Sequence, residues 1–144
     1  MREHPKRVGE RSEAHVLAAL VDAGYTVWLP WGEHHRADFI IESDDGTLQK
    51  VQVKTGRLRN GAIAFATCSS TYHHPSNQGT KVYAHDYRGQ VDLFGVYCPE
   101  TRGVYLVPVD EVGSRAAHLR TRATKNAQRV GIRWASTYCI TSPG

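Results

Sequence analysis

The strongest constraint on this chain lies between residues 38 and 54. Asp38-Phe-Ile-Ile-Glu42 is rich in β-formers, and Leu48-Gln-Lys-Val-Gln-Val-Lys54 alternates apolar and polar residues. Between them Asp44-Asp45-Gly46 is a turn, with glycine where a three-residue hairpin loop needs a left-handed residue. That loop pairs Ser43 with Thr47, and counting back sets Asp38 opposite Gln52. Side chains alternate along a strand, and opposed residues share a face. Phe39, Ile41, Val51 and Val53 therefore turn to a core, while Asp38, Gln52 and Lys54 converge on the other side. A slip of one residue would scatter them.

An acid, an amide oxygen and an ammonium gathered at one end of a hairpin suit phosphodiester hydrolysis. A hard divalent cation takes oxygen ligands, and Asp38, the Gln52 side-chain carbonyl and the Val53 backbone carbonyl can supply three. Such a cation polarises a phosphate and acidifies water, while Lys54 is set to meet that water and the charge growing on phosphorus. The competing reading is a solvated strand, since Gln-Val-Lys is an ordinary surface triplet.

Around the hairpin the pattern is mixed. Val8 to Ala23 reads as a helix with an apolar stripe at Val16, Leu17, Leu20 and Val21, ended by Gly24 as C′ residue. Strands are predicted over residues 25–30, 62–67, 91–98 and 104–108. A helical turn is expected at Asp110 to Val112, and a further helix over 132–138. Residues 68–90 read as a long excursion with a short strand at 81–84. The expected organisation is a flexible arm over residues 1–8 followed by one domain over 9–144, of α/β (α+β) class with a mostly antiparallel sheet.

Composition narrows the partners. The 144 residues are 40% hydrophobic and 22% charged, as in an ordinary globular protein. No stretch approaches membrane-spanning length, and the charged N-terminus leads into no apolar run, so neither membrane nor signal peptide is expected. Cys68, Cys98 and Cys139 are an odd, scattered set, arguing against a disulfide framework or a structural zinc site and for a reducing cytoplasm. Net charge is +4, with basic residues concentrated at 2–11, at Arg57 and Arg59, and from Arg115 to Arg133. Arg57 and Arg59 directly follow the hairpin, where a nucleic-acid backbone would pass. Arg120, Arg122, Lys125 and Arg129 form a second candidate contact region. For any one arginine a solvated surface remains the simpler reading.

His34-His35 and His73-His74 lack metal-ligand spacing. Ser69, Ser70 and Tyr72 rank as possible neighbours of the hairpin site, or as ordinary loop chemistry. Serine-hydrolase, P-loop and dinucleotide motifs are absent.

Asp38, Gln52-x-Lys54 and a preceding glutamate-bearing helix resemble the PD-(D/E)xK nuclease superfamily. Tyr25–Gly32, Val51–Gly61, Val104–Val112 and Lys125–Ala135 are similar to its group I intron-associated homing endonuclease branch. The resemblance implies a restriction-endonuclease-like core, with a mixed central sheet flanked by helices. It implies Mg2+, replaceable by Mn2+, a double-stranded DNA substrate, and ends bearing 5′-phosphate and 3′-hydroxyl. It also implies that a glutamate of the first helix closes the metal site. Counting back from Gly24-Tyr25 assigns that role to Glu13, with Glu10 as fallback. Gln52 stands where most of the superfamily has a carboxylate, and Ala37 where it has proline; the branch tolerates the glutamine. Cutting both strands implies a homodimer or higher oligomer. The rivals are a Holliday-junction resolvase of the same fold and a non-catalytic DNA-binding module that retains it.

Overall fold

The computed structural model describes residues 3–73, 81–124, 126 and 130–142. Its first element, α1, runs from Pro5 to Asp22. Proline is preorganised for a first helical turn, and the His4 ring Nδ1 caps the turn by accepting from the Lys6 N–H at 3.2 Å. Arg11 then reaches back to Glu3 with two hydrogen bonds of 2.7 and 2.5 Å. Residues 5–7, assigned to an arm by their polarity, are thus helical. An exposed first turn carries no apolar periodicity from which to read it.

The far end of α1 follows the sequence. Gly24 takes φ +97° and donates to the Val21 carbonyl at 3.0 Å, while Tyr25 donates to that of Leu20 at 3.1 Å. Those two bonds make a Schellman cap. The buried stripe is Ser12, Val16, Ala19 and Leu20, whereas Val21 is 55% exposed.

Among the described residues ten strands follow: β1 (Thr26–Trp28), β2 (Phe39–Glu42), β3 (Leu48–Thr55), β4 (Arg57–Arg59), β5 (Ala62–Ala66), β6 (Cys68–His73), β7 (Lys81–Asp86), β8 (Leu93–Cys98), β9 (Gly103–Pro108) and β10 (Ala116–Arg120). The central sheet has the order β1-β2-β3-β8-β9. It is mixed: β3 and β8 run parallel and the other neighbours antiparallel. A second sheet, β10-β5-β4, and the β6-β7 hairpin complete the strands. A 3-10 turn spans Val109–Glu111, and α2 is the single turn Ala135–Tyr138, shorter than the helix expected over 132–138. Strands β4, β6 and β10 have no counterpart in the sequence reading.

The hairpin forms in the expected register. Phe39 pairs with Val51 and Glu42 with Leu48, and Ser43 donates to Thr47 O at 3.0 Å around a loop in which Gly46 has φ +84°. The central sheet is buried on both faces. Phe39, Ile41, Val51, Val53 and Leu93 pack beneath Val16, Ala19 and Leu20 of α1. On the opposite face Phe94 and Val96 pack with Ile63 and Phe65 of β5 and Leu119 of β10. Gly95 makes the helix contact possible, because a Cβ there would lie 2.8 Å from Val16 Cγ1 and 3.1 Å from Val51 Cγ1. The buried Ser12 hydroxyl, 2.5 Å from the Thr55 hydroxyl, ties α1 to the end of β3. That tie sits one residue from Glu13 and one from Lys54.

Candidate active site

Asp38 stands just before β2, one residue beyond the last register pair Phe39–Val51, and its N–H donates to the same Val51 carbonyl at 2.8 Å. Its side chain is fixed as well: Oδ2 accepts from the Val53 N–H at 2.8 Å. Gln52 is half-buried, and its amide nitrogen lies 3.3 Å from the Val53 carbonyl. Rotating that amide by half a turn would bring its oxygen to the same side as the carbonyl. Lys54 extends further along the same face. Its Nζ donates to the Cys68 carbonyl at 3.2 Å and to the Tyr87 hydroxyl at 3.3 Å.

Glu13 completes the group from α1. Its carboxyl lies close enough to Asp38 for each to act on the other, and Glu10 acts on Glu13 through charge. Of the two helix glutamates, Glu13 therefore reaches the hairpin. Burial pushes the Glu13 carboxyl above its ordinary range, and the neighbouring Asp38 charge pushes it further. Burial raises Asp38 too, opposed by the Val53 N–H bond and the Lys54 charge.

Two acids held together in partial burial repel each other when both are ionised. A divalent cation between them would relieve that cost. With the Gln52 amide oxygen and the Val53 carbonyl the donor set is all oxygen, which fits a hard ion. Among the described residues no three His, Cys, Asp or Glu side chains gather, because the third side chain here is an amide.

The other candidates are distributed differently. Arg57 and Arg59 are exposed on β4, where their partners in β5 are Ala64 and Ala62. Those alanines pair in turn with His118 and Arg120 of β10, so Arg57, Arg59, His118 and Arg120 share one face of the second sheet. Arg120 donates from its guanidinium to the carbonyls of Asn60, Arg122 and Ala123, bracing the adjoining turn. Arg122 is exposed and packs over Gly61. Lys125 and Arg129 lie outside the described residues, as do His74 and the side chains of Ser70, Tyr72 and His73. His34 and His35 are exposed, with His35 Nε2 2.6 Å from the Trp31 carbonyl. Ser69 accepts from Arg36 at 2.8 Å.

Two residues beside the site had no place in the sequence reading. Tyr87, 4% exposed, contacts Lys54, and the Arg36 guanidinium stacks 3.7 Å from the Tyr87 ring centre. Arg36 lies two residues before Asp38 and so was within reach of the alternation argument. Tyr87 carries no local signal.

A restriction-endonuclease-like nuclease core is what this helix, mixed sheet and hairpin define. A family model described as PD-(D/E)XK endonuclease matches residues 3–141, and the chain belongs to that family. Among solved structures it is similar to a bacterial homing endonuclease, I-Ssp6803I. The two are 22% identical with a TM-score of 0.68, over 95% of this chain and 89% of that one. At that identity the likeness is one of fold. No curated protein matches the sequence.

Proposed function

We propose that this endonuclease-family chain is a Mg2+-dependent endodeoxyribonuclease that hydrolyses phosphodiester bonds of duplex DNA in the manner of a homing enzyme. The observation that carries the reading is the meeting of Glu13 and Asp38 beside Gln52, Val53 and Lys54. Those first four residues would hold the cation. When bound, Mg2+, or Mn2+ in its place, withdraws electron density from the scissile phosphate and favours loss of a proton from the attacking water.

The chain's own groups do the rest. Val53 N–H holds the Asp38 carboxylate so that it faces Glu13, which keeps both acids ready for the ion. The Lys54 ammonium donates hydrogen bonds to the water and to the phosphate oxygens, offsetting negative charge as the P–O3′ bond breaks. The products are a 5′-phosphate and a 3′-hydroxyl. Arg57 and Arg59, with Arg122, Lys125 and Arg129, grip backbone phosphates, which positions the duplex without reading it. Arg120 supports this surface by fixing the turn beside it. One chain carries one set of acids, so breaking both strands calls for a homodimer or larger assembly.

The test is cleavage of randomised linear duplex, with a four-way junction in parallel, in Mg2+ and in EDTA. Nicking of the duplex that stops in EDTA and in Lys54→Ala is expected. Exclusive cutting of the junction would replace the substrate with that of a resolvase. DNA binding without any cutting in Mg2+ or Mn2+ would leave a binding module only.

A further inference from the structure

Lys54 is the cation of the candidate site, and a lysine side chain is long, flexible and strongly hydrated. Here it is pinned. Its two hydrogen-bond partners, the Cys68 carbonyl and the Tyr87 hydroxyl, come from the two ends of the β6-β7 unit, and its Nζ lies 4.6 Å from the Tyr87 ring centre. Both partners are themselves fixed. Next to Cys68, Thr67 is buried, donating from its hydroxyl to the Gly113 carbonyl at 2.6 Å and from its N–H to the Arg115 carbonyl at 2.9 Å.

Tyr87 is held more closely still. Its ring meets Phe94 edge-on at 5.6 Å, and Phe94 is the β8 partner of Gln52. Arg36 stacks on the ring while donating to Ser69 Oγ at 2.8 Å and to the carbonyls of His85 and Asp86 at 3.3 and 2.9 Å. Neither Arg36 nor Lys54 forms an ion pair among the described residues, where the pairs are Arg11–Glu3 and Arg88–Asp86. Two cations thus rest against one buried tyrosine, and its hydroxyl is the side-chain atom that touches the Lys54 ammonium.

We propose that Tyr87, braced by Arg36, is the positioning residue for Lys54. It presets the ammonium toward the scissile phosphate, a role that rests on the nuclease reading above. A hydrogen bond made before substrate arrives removes the entropy of ordering the lysine from the reaction barrier. The ring alone would serve the core; the hydroxyl serves the lysine.

Tyr87→Phe separates these roles because it keeps the ring. With wild type cleaving duplex DNA, the variant is expected to lower the single-turnover rate by about ten- to a hundredfold. Its DNA Kd, measured with Ca2+ in place of Mg2+, and its thermal midpoint should stay near wild type. A wild-type rate overturns the proposal, and so does a slower rate explained by weaker binding or a lower midpoint. Wild-type protein gives an independent measure through 15N relaxation of its five lysine ammonium groups. Lys54 should be the least mobile of the described ones, and mobility equal to that of an exposed lysine would overturn the positioning role even if Tyr87→Phe failed to fold. Absence of wild-type cleavage would instead sink the nuclease reading, and the catalytic purpose of a rigid Lys54 with it.

Discussion

Glu13 on the first helix and Asp38 at the mouth of the hairpin are brought close enough to act on each other across 25 residues of sequence, and both carboxyls are pushed above their ordinary range. Burial is the larger cause for each. The fold thus holds a strained acid pair at its candidate site, and the first predictions follow from the sign of that strain.

Glu13→Gln and Asp38→Asn should each abolish most cleavage, by about a hundredfold or more, because each removes an anionic ligand. Each should also raise the thermal midpoint at neutral pH in EDTA, since the amide removes a charge that folding buries. Melting curves at pH 7 check this. A lower midpoint in both variants would mean that the acids stabilise the fold.

The pH dependence has a definite sign. A carboxyl raised in the folded state binds more protons folded than unfolded, so stability falls as pH rises from the ordinary carboxylate range through the raised values. Above that window the contribution is constant. In EDTA the protein should therefore lose stability across it, and the slope should shrink in Glu13→Gln. Saturating Mg2+ should restore stability at neutral pH, because an ion that binds the folded state alone stabilises it by mass action.

Gln52→Glu tests the amide. A third carboxylate should lower the Mg2+ concentration needed for half-maximal cleavage, since it adds charge to the ligand set. Without metal it should lower the midpoint by adding a like charge beside Asp38. Titrating Mg2+ against single-turnover rate gives the first number, and melts in EDTA the second.

Gly95→Ala should cost about 1–3 kcal/mol through overpacking, because the new Cβ would press on Val16 and Val51. As α1 gives way, Glu13 moves from Asp38. Cleavage should then fall by more than the loss of folded protein explains, measured where the variant is still fully folded.

Replacing Arg57 and Arg59 together by alanine should weaken binding to all duplexes alike. Each phosphate contact contributes about 0.9 to the slope of log K against log salt, so the slope should flatten by roughly 1.8. An unchanged slope would remove β4 from the DNA surface.

Much of this was legible in the residues, and the reason is locality. The hairpin register needs only a three-residue loop with glycine at its last position and a side-chain period of two, so Asp38, Gln52 and Lys54 could be aligned without the rest of the fold. The end of α1 at Gly24 was equally local. Its start was not, because a polar first turn leaves no apolar mark. Glu13 needed the family resemblance, because nothing local to the helix separates it from Glu10, one turn earlier.

Strand β10 went unread because strand propensity depends on partners, and its partner β5 lies some fifty residues back, whereas β4 and β6 pair with the strands that follow them and went unread because one is three residues long and the other polar. The sequence by itself determined one hairpin face, its apolar side and the helix that ends at Gly24. Only the tertiary structure decided that β3 would pair in parallel with β8, so that Gln52 lies beside Phe94 and Lys54 beside Val96. It also decided that Tyr87, thirty-three residues downstream, would hold the Lys54 ammonium. Local rules aim a side chain, but what it meets depends on chain closure and core packing that no single segment encodes.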